Sequence, residues 1–163
     1  MSRNTLISYL LLLAVLISPA QAADTGRLYA VIDGDSLEVV IDGKITEVRL
    51  IGIDAPEWGQ EFGLEAKSFA LHFCLGKELQ LEYDKDRHDR YRRTLAYVYV
   101  DGEMLNEAIV RAGLALAFAY KPNTWHQAQL FQAQADARAE ERGFWRNGGL
   151  ELTPSQWRKK NRR

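Results

Sequence analysis

The sequence is poor in the side chains that build disulfides and nitrogen or sulfur metal sites. Cys74 is the only cysteine among 163 residues, so no internal disulfide can form and stability must come from packing. No partner base is evident near Cys74, which favours a buried structural thiol over a nucleophile. The histidines, His72, His88 and His126, do not show the spacing of a metal site, and we assign them no role.

The chain also lacks an excess of either charge. It contains 21 Lys and Arg residues against 22 Asp and Glu residues, a formal net charge of −1. This balance excludes nucleic-acid binding through bulk charge alone. Residues 85–93 and 158–163 are nevertheless locally basic. Local patches would therefore have to carry any contact with an anionic partner.

No apolar run is long enough to cross a membrane comfortably. The longest, residues 6–17, has roughly twelve residues, whereas a spanning helix needs about 20. It follows Arg3 and precedes Ala20-Gln21-Ala22, a small-x-small pattern typical of signal cleavage. We therefore interpret residues 1–22 as a cleaved signal peptide and predict a secreted or periplasmic protein without stable membrane association. An uncleaved anchor helix is the alternative.

Hydrophobic patterning predicts one α+β domain over residues 23–147, followed by a basic tail over 148–163. Alternating apolar residues and Asp-Gly turns predict five strands, at 27–32, 36–41, 45–53, 78–83 and 94–100. Helical periodicity predicts three helices, at 64–75, 104–112 and about 123–142, the last capped by Asn123 or Thr124. Three strands, a helix and two strands match a five-stranded OB-fold, a Greek-key barrel. The tail is interpreted as a charged solubility segment, with a secondary nucleic-acid contact as the alternative.

The stretch RLIGIDAPEW, residues 49–58, places charge where a strand would not need it. Arg49 lies in the body of a predicted strand, and Asp54 and Glu57 follow its end. Taken singly, these residues would be a polar turn and a surface ion pair. The Asp33-Gly34-Asp35 turn has an equally plain structural reading. The alternative is one active site that needs a cation, a metal and a base close together.

Five segments in order resemble the thermonuclease family, which is typified by staphylococcal nuclease. They are IDGDS at 32–36, RLIGIDAPE at 49–57, DRYRRTLAYV at 89–98, NEAIVRAGLA at 106–115 and YKPN at 120–123. The resemblance covers about residues 27–145. It implies an OB-fold endonuclease that depends on Ca²⁺, acts on DNA and RNA, favours single-stranded or locally open substrates, and is a monomer.

The same resemblance implies roles for individual residues. Asp35, Asp54 and the backbone carbonyl of Ala55 would be the metal ligands, and two aspartates with a carbonyl are hard oxygen donors that suit calcium. The resemblance further implies that Glu57 is the general base, that Arg49 and Arg93 clamp the phosphate, and that Tyr120 lies at the nucleotide-binding wall. Arg92, an additional cation in the loop before Arg93, and Phe118, an aromatic residue that could still stack on a base, complete the predicted substrate-binding set.

Three departures from the family pattern are visible. Arg92 stands where the family type has glycine, Phe118 stands where a tyrosine is expected, and residues 58–63 are shorter than the lysine-bearing loop of the type enzyme. These changes bear on rate, metal affinity and substrate preference. Two other functions remain open: an OB-fold that binds nucleic acid or protein without cleaving it, and an oligosaccharide-binding module.

Overall fold

The computed structural model describes residues 24–161, so the predicted signal peptide lies outside it. The strands are β1 (Asp24–Asp33), β2 (Ser36–Ile41), β3 (Lys44–Leu50), β4 (Ile53–Asp54), β5 (Glu78–Glu82), β6 (Thr94–Val100), β7 (Glu103–Met104) and β8 (Leu116–Ala117). The α-helices are α1 (Gly63–Cys74), α2 (Leu105–Arg111), α3 (Gln127–Ala139) and α4 (Pro154–Lys160), and a 3₁₀-helix spans Gly143–Asn147. None of the helices within residues 24–161 has the length and apolar character that a membrane crossing requires.

Five strands close into a mixed barrel. Strand β1 pairs antiparallel with β2 and β5, β2 pairs with β3, and β5 pairs with β6. A parallel pairing of β3 with β6 closes the ring, with Arg49 opposite Leu95. The predicted five-stranded OB-fold is therefore confirmed. In addition, the two-residue strand β7 pairs with β6, and the two-residue strands β4 and β8 pair with each other in a separate small sheet.

Apolar side chains from the barrel and helices share one core. The alternation expected for β5 is observed, since Leu79 and Leu81 are fully buried. Cys74 is also fully buried, as expected, and burial raises the pKa of its thiol to about 12. Asn106 of α2 is buried among these groups, accepting from the Val98 amide at 3.0 Å and donating to the Ile51 carbonyl at 2.9 Å. It thereby ties α2 to the end of β3.

The predicted strand over residues 45–53 is interrupted. Gly52 has φ +78°, and an added Cβ would lie 2.5 Å from Cδ1 of Leu130. Glycine is therefore required both by the backbone conformation and by the close approach of α3. The resulting turn separates β3 from β4, which pairs instead with β8.

Two helix predictions were wrong in detail. Helix α3 begins at Gln127, because the buried side chain of Asn123 clamps the Asp86 backbone with two 2.8 Å hydrogen bonds and does not cap a helix. The described residues also contain four α-helices where three were expected. The additional helix, α4, lies in the segment predicted as tail, and starts with a capping box between Thr153 and Gln156.

Candidate active site

The turn between β1 and β2 buries a carboxylate. Asp33 accepts a hydrogen bond from the Asp35 amide at 3.0 Å, and the Asp35 side chain accepts from the Ala55 amide at 2.7 Å. Gly34 is needed because a Cβ there would lie within 2.8 Å of the side chains of Ala55 and Ala66. The turn therefore fits tightly against the residues that follow β4.

Arg49 joins two of the predicted metal ligands. It lies opposite Ser36 in the β2–β3 register, and its Nη1 is 2.8 Å from Oδ1 of Asp35. Its Nη2 is 3.7 Å from Oδ1 of Asp54 and donates to the Ile53 carbonyl at 3.0 Å. A guanidinium anchored by both carboxylates and carbonyls is held in one orientation, as a phosphate clamp requires.

The environment of Asp35 is unusual for a carboxylate. Burial raises its pKa well above the ordinary range; the Arg49 guanidinium opposes this rise and the Asp33 carboxylate adds to it. Burial disfavours the ionised form because the interior solvates charge poorly. The site can therefore accept more positive charge than Arg49 alone supplies.

The loop before β6 is organised by Asp89. Its Oδ2 accepts from Nε and Nη2 of Arg93 at 2.8 and 2.7 Å, and its Oδ1 accepts from the amides of Tyr91 and Arg93. Burial raises the pKa of Asp89, but the hydrogen bonds from the Arg93 side chain and the backbone outweigh it and hold that pKa below its ordinary value. Asp89 therefore fixes both the loop and the direction of the Arg93 guanidinium.

Arg92 is placed differently from its neighbours. Its φ is +66°, the left-handed conformation that glycine adopts without strain, which matches the glycine of the family type at this position. Arg92 is exposed and does not line the cleft, whereas Arg90, Tyr91 and Arg93 do.

Most of the predicted residues converge on one cleft of about 800 Å³. The predicted site residues that line it are Asp35, Arg49, Asp54, Glu57, Arg93, Phe118 and Tyr120. Strand β8 pairs with β4, and the Phe118 amide donates to the Gly52 carbonyl at 2.8 Å. These contacts hold the segment that carries Phe118 beside Asp54. Ala55 is buried behind this surface.

Glu57 and Asp54 share a partner from outside the predicted set. Arg158 of α4 places Nη1 3.0 Å from Oδ1 of Asp54 and Nη2 3.2 Å from Oδ2. Its Nη1 also lies 2.5 Å from Oε1 of Glu57. The loop that carries Glu57 is fixed by Gln60, whose Oε1 accepts from the Glu57 amide at 3.1 Å and whose Nε2 donates to the Leu152 carbonyl at 2.7 Å.

Calcium, the ion that the resemblance implies, prefers hard oxygen ligands, which Asp35 and Asp54 carry. Within residues 24–161 no three His, Cys, Asp or Glu side chains cluster closely enough to hold a metal by themselves. Asp35 and Asp54 nevertheless both face the Arg49 guanidinium across the same cleft. Two carboxylates with a backbone carbonyl, completed by water or substrate oxygens, fit the hard-donor preference of calcium.

Residues 47–147 match the family described as staphylococcal nuclease homologue. The chain belongs to the staphylococcal nuclease family. It is 41% identical over 129 residues to a thermonuclease of Staphylococcus hyicus, covering 76% of each chain. It is 38% identical over 121 residues to a thermonuclease of Staphylococcus intermedius, covering 71% of this chain and 72% of the relative. An uncharacterized endonuclease of Haemophilus influenzae is 36% identical over 158 residues, or 96% of this chain and 85% of the relative. The family resemblance found in the sequence is thus confirmed.

Three residues of this family member's site had no predicted role. Asp89 was recognised as the first residue of the DRYRRTLAYV segment but without a role of its own, and Gln60 was visible only as a polar residue in the short loop after Glu57. Arg158 lay in the predicted tail, although the Thr153–Gln156 capping box upstream is a helix-start signal that the sequence carries.

Proposed function

We propose that this member of the staphylococcal nuclease family is an endonuclease that hydrolyses phosphodiester bonds of DNA and RNA with Ca²⁺. The observation that carries the proposal is the convergence of Arg49, Asp35, Asp54, Glu57 and Arg93 on one cleft. Relatives that are named thermonucleases and an endonuclease agree with it.

Asp35, Asp54 and the carbonyl of Ala55 would hold the calcium ion. When bound, calcium would neutralise part of the charge of the scissile phosphate and orient it. Pro56 favours an extended conformation at Ala55, which supports a fixed direction for that carbonyl. The amide of Ala55 is already bound to Asp35, so the two proposed ligands are mechanically linked.

Glu57 would act as the general base. It would accept a proton from the water whose oxygen attacks phosphorus; the bond from phosphorus to the leaving oxygen then breaks, and that oxygen takes a proton from solvent to leave as a hydroxyl group. Negative charge increases on the five-coordinate phosphorus during attack, and the Arg49 and Arg93 guanidinium groups stabilise it with paired hydrogen bonds. Lysine would be a poor substitute, because one ammonium cannot form the same fork.

Aromatic side chains would bind the bases next to the scissile phosphate. Phe118 lines the cleft and is 52% exposed, so its ring is available for stacking, and Tyr91 and Tyr120 line the same cleft. Stacking of this kind needs unpaired bases, which supports a preference for single-stranded or locally open substrates. Arg92 would add a cation at the rim. We further propose a monomer that is exported through residues 1–22.

The proposal is tested by degradation of single-stranded DNA, double-stranded DNA and RNA in calcium and in chelator. Glu57→Gln should lower the rate by about 10²–10⁴-fold without unfolding the protein. Glu61→Gln is the matched control, because Glu61 is exposed and does not line the cleft. Binding of nucleic acid without hydrolysis in every cation would instead establish an OB-fold binding module. Equal hydrolysis rates for wild type and Glu57→Gln would show that Glu57 is not the general base.

A further inference from the structure

The side chain of Arg158 occupies the two carboxylates on which the proposed chemistry depends. Both oxygens of Asp54 accept from its guanidinium, and Glu57 contacts the same Nη1. A divalent cation at Asp54 has to compete with this guanidinium for both oxygens, because two positive groups at one carboxylate repel each other. Arg158 and a cation are therefore alternatives at Asp54.

Helix α4 is attached to the rest of the protein by a small set of contacts, and those of Arg158 are the ones that reach the cleft. It has only seven residues, too few to be stable as an isolated helix. Its capping box and the buried Pro154 fix where it begins, and Gln60 holds the preceding Leu152 carbonyl. Lys159 and Lys160 at its end are exposed. Trp157 is half-buried, so the second turn is attached by the packing of Trp157 and by the ion pairs of Arg158.

The charge of the cleft supports such an exchange. Six carboxylates line it, from Asp33, Asp35, Glu47, Asp54, Glu57 and Asp89. Four arginines face them, Arg49, Arg90, Arg93 and Arg158. Without Arg158 the cleft would hold twice as many carboxylates as arginines, so a cation that takes its place would also take over its electrostatic role.

We propose that α4 is an occluding arm: Arg158 competes with a divalent cation for Asp54 and Glu57, and binding of the cation displaces Arg158 and opens the site. This inference rests on the proposed function, because it uses the same two carboxylates. Gln60 bonds both the Glu57 amide and the Leu152 carbonyl, so movement of the arm is coupled to the loop that carries the base.

Calcium titration by calorimetry tests the arm directly. Arg158→Ala should bind calcium about three- to tenfold more tightly than wild type, the effect of removing a partly exposed ion pair that competes with the cation. The calcium affinity of Arg158→Lys should lie between those of wild type and Arg158→Ala. Lys160→Ala is the matched control, because it removes one charge from the same helix without touching the cleft, and its affinity should stay close to wild type.

Hydrogen exchange supplies a second readout. Calcium should accelerate exchange of the α4 amides in wild type, as the arm is released. Equal calcium affinity in Arg158→Ala and Lys160→Ala, weaker binding in Arg158→Ala, or α4 exchange that does not respond to calcium would each overturn the inference. Nucleic-acid hydrolysis by wild type at saturating calcium is measured separately. If hydrolysis is absent, the proposed function is wrong. Displacement of α4 by calcium would even then show that Arg158 and calcium compete for Asp54.

Discussion

Substitutions of Asp89 can distinguish its effect on the conformation of the loop before β6 from its effect on the orientation of the Arg93 guanidinium. In Asp89→Asn, Oδ1 can still accept from the amides of Tyr91 and Arg93, which preserves the turn. The new amide nitrogen, however, would face Nε and Nη2 of Arg93, donor against donor. In Asp89→Ala both sets of bonds are lost. The pair of variants therefore distinguishes positioning of the guanidinium from folding of the loop.

The magnitude follows from the bonds of the Asp89 carboxylate, whose side chain is 4% exposed. Hydrogen bonds to a charged group contribute about 1.5–3 kcal/mol each and are not additive. We expect Asp89→Asn to lower the free energy of unfolding by about 1–2 kcal/mol and Asp89→Ala by about 2–4 kcal/mol. A guanidinium released from its position should lower the rate of hydrolysis by about 10–10²-fold in Asp89→Asn.

The pH dependence of stability gives an independent check. The pKa of Asp89 is lower in the folded protein than its ordinary value of 3.8. Its stabilising effect is therefore complete above that value and is lost as the pH falls below it towards the folded pKa. The difference in unfolding free energy between wild type and Asp89→Asn should be largest near neutral pH and should shrink below about pH 3.8.

Urea denaturation and initial hydrolysis rates measure these effects on the same preparations. Asp86→Asn is the matched control. The backbone of Asp86 is hydrogen-bonded to Asn123, but its side chain makes no hydrogen bond to any of the described residues. If Asp89→Asn matches Asp86→Asn in rate and in acid sensitivity, Asp89 does not position Arg93.

Two further substitutions test how the site is built. Arg49→Lys should lower the hydrolysis rate by at least about 10²-fold, because one ammonium cannot contact Asp35 and the Ile53 carbonyl together; a rate within threefold of wild type would contradict this. Gly52→Ala should lower the free energy of unfolding in urea by about 1–3 kcal/mol, because its Cβ would meet Leu130 and its φ is positive. Unchanged stability would show that the turn adapts.

Much of the barrel was predictable because its strands carry local signals. Strand β6 was located at its observed bounds from a run of β-forming residues, Thr94–Val100. The break at Gly52 was less visible, since glycine in a strand indicates either a bulge or a close approach. Which of these applies depends on Leu130 of α3, a residue far along the chain whose position no local pattern gives.

The proximity of Asp35 and Arg49 has a partly local cause. The Asp42-Gly43 turn pairs Ile41 with Lys44, and counting back along the hairpin places Ser36 opposite Arg49. The approach of Asp54, by contrast, depends on the β4–β8 pairing, which joins segments more than sixty residues apart. The contacts of Arg158 with Asp54 and Glu57 depend on docking of α4, which the basic composition of the tail did not indicate.

The parallel pairing of β3 with β6 has a consequence for when the site exists. Arg49 lies in β3, on one side of this parallel seam between β3 and β6, and Arg93 directly precedes β6, on the other side. Contacts between such distant segments form only after much of the chain has ordered, because the intervening loop must close first. A chain whose barrel is still open therefore carries every residue of the site but has no cleft. Under the proposed function, a newly made chain would be harmless to nucleic acid around it until the seam is joined.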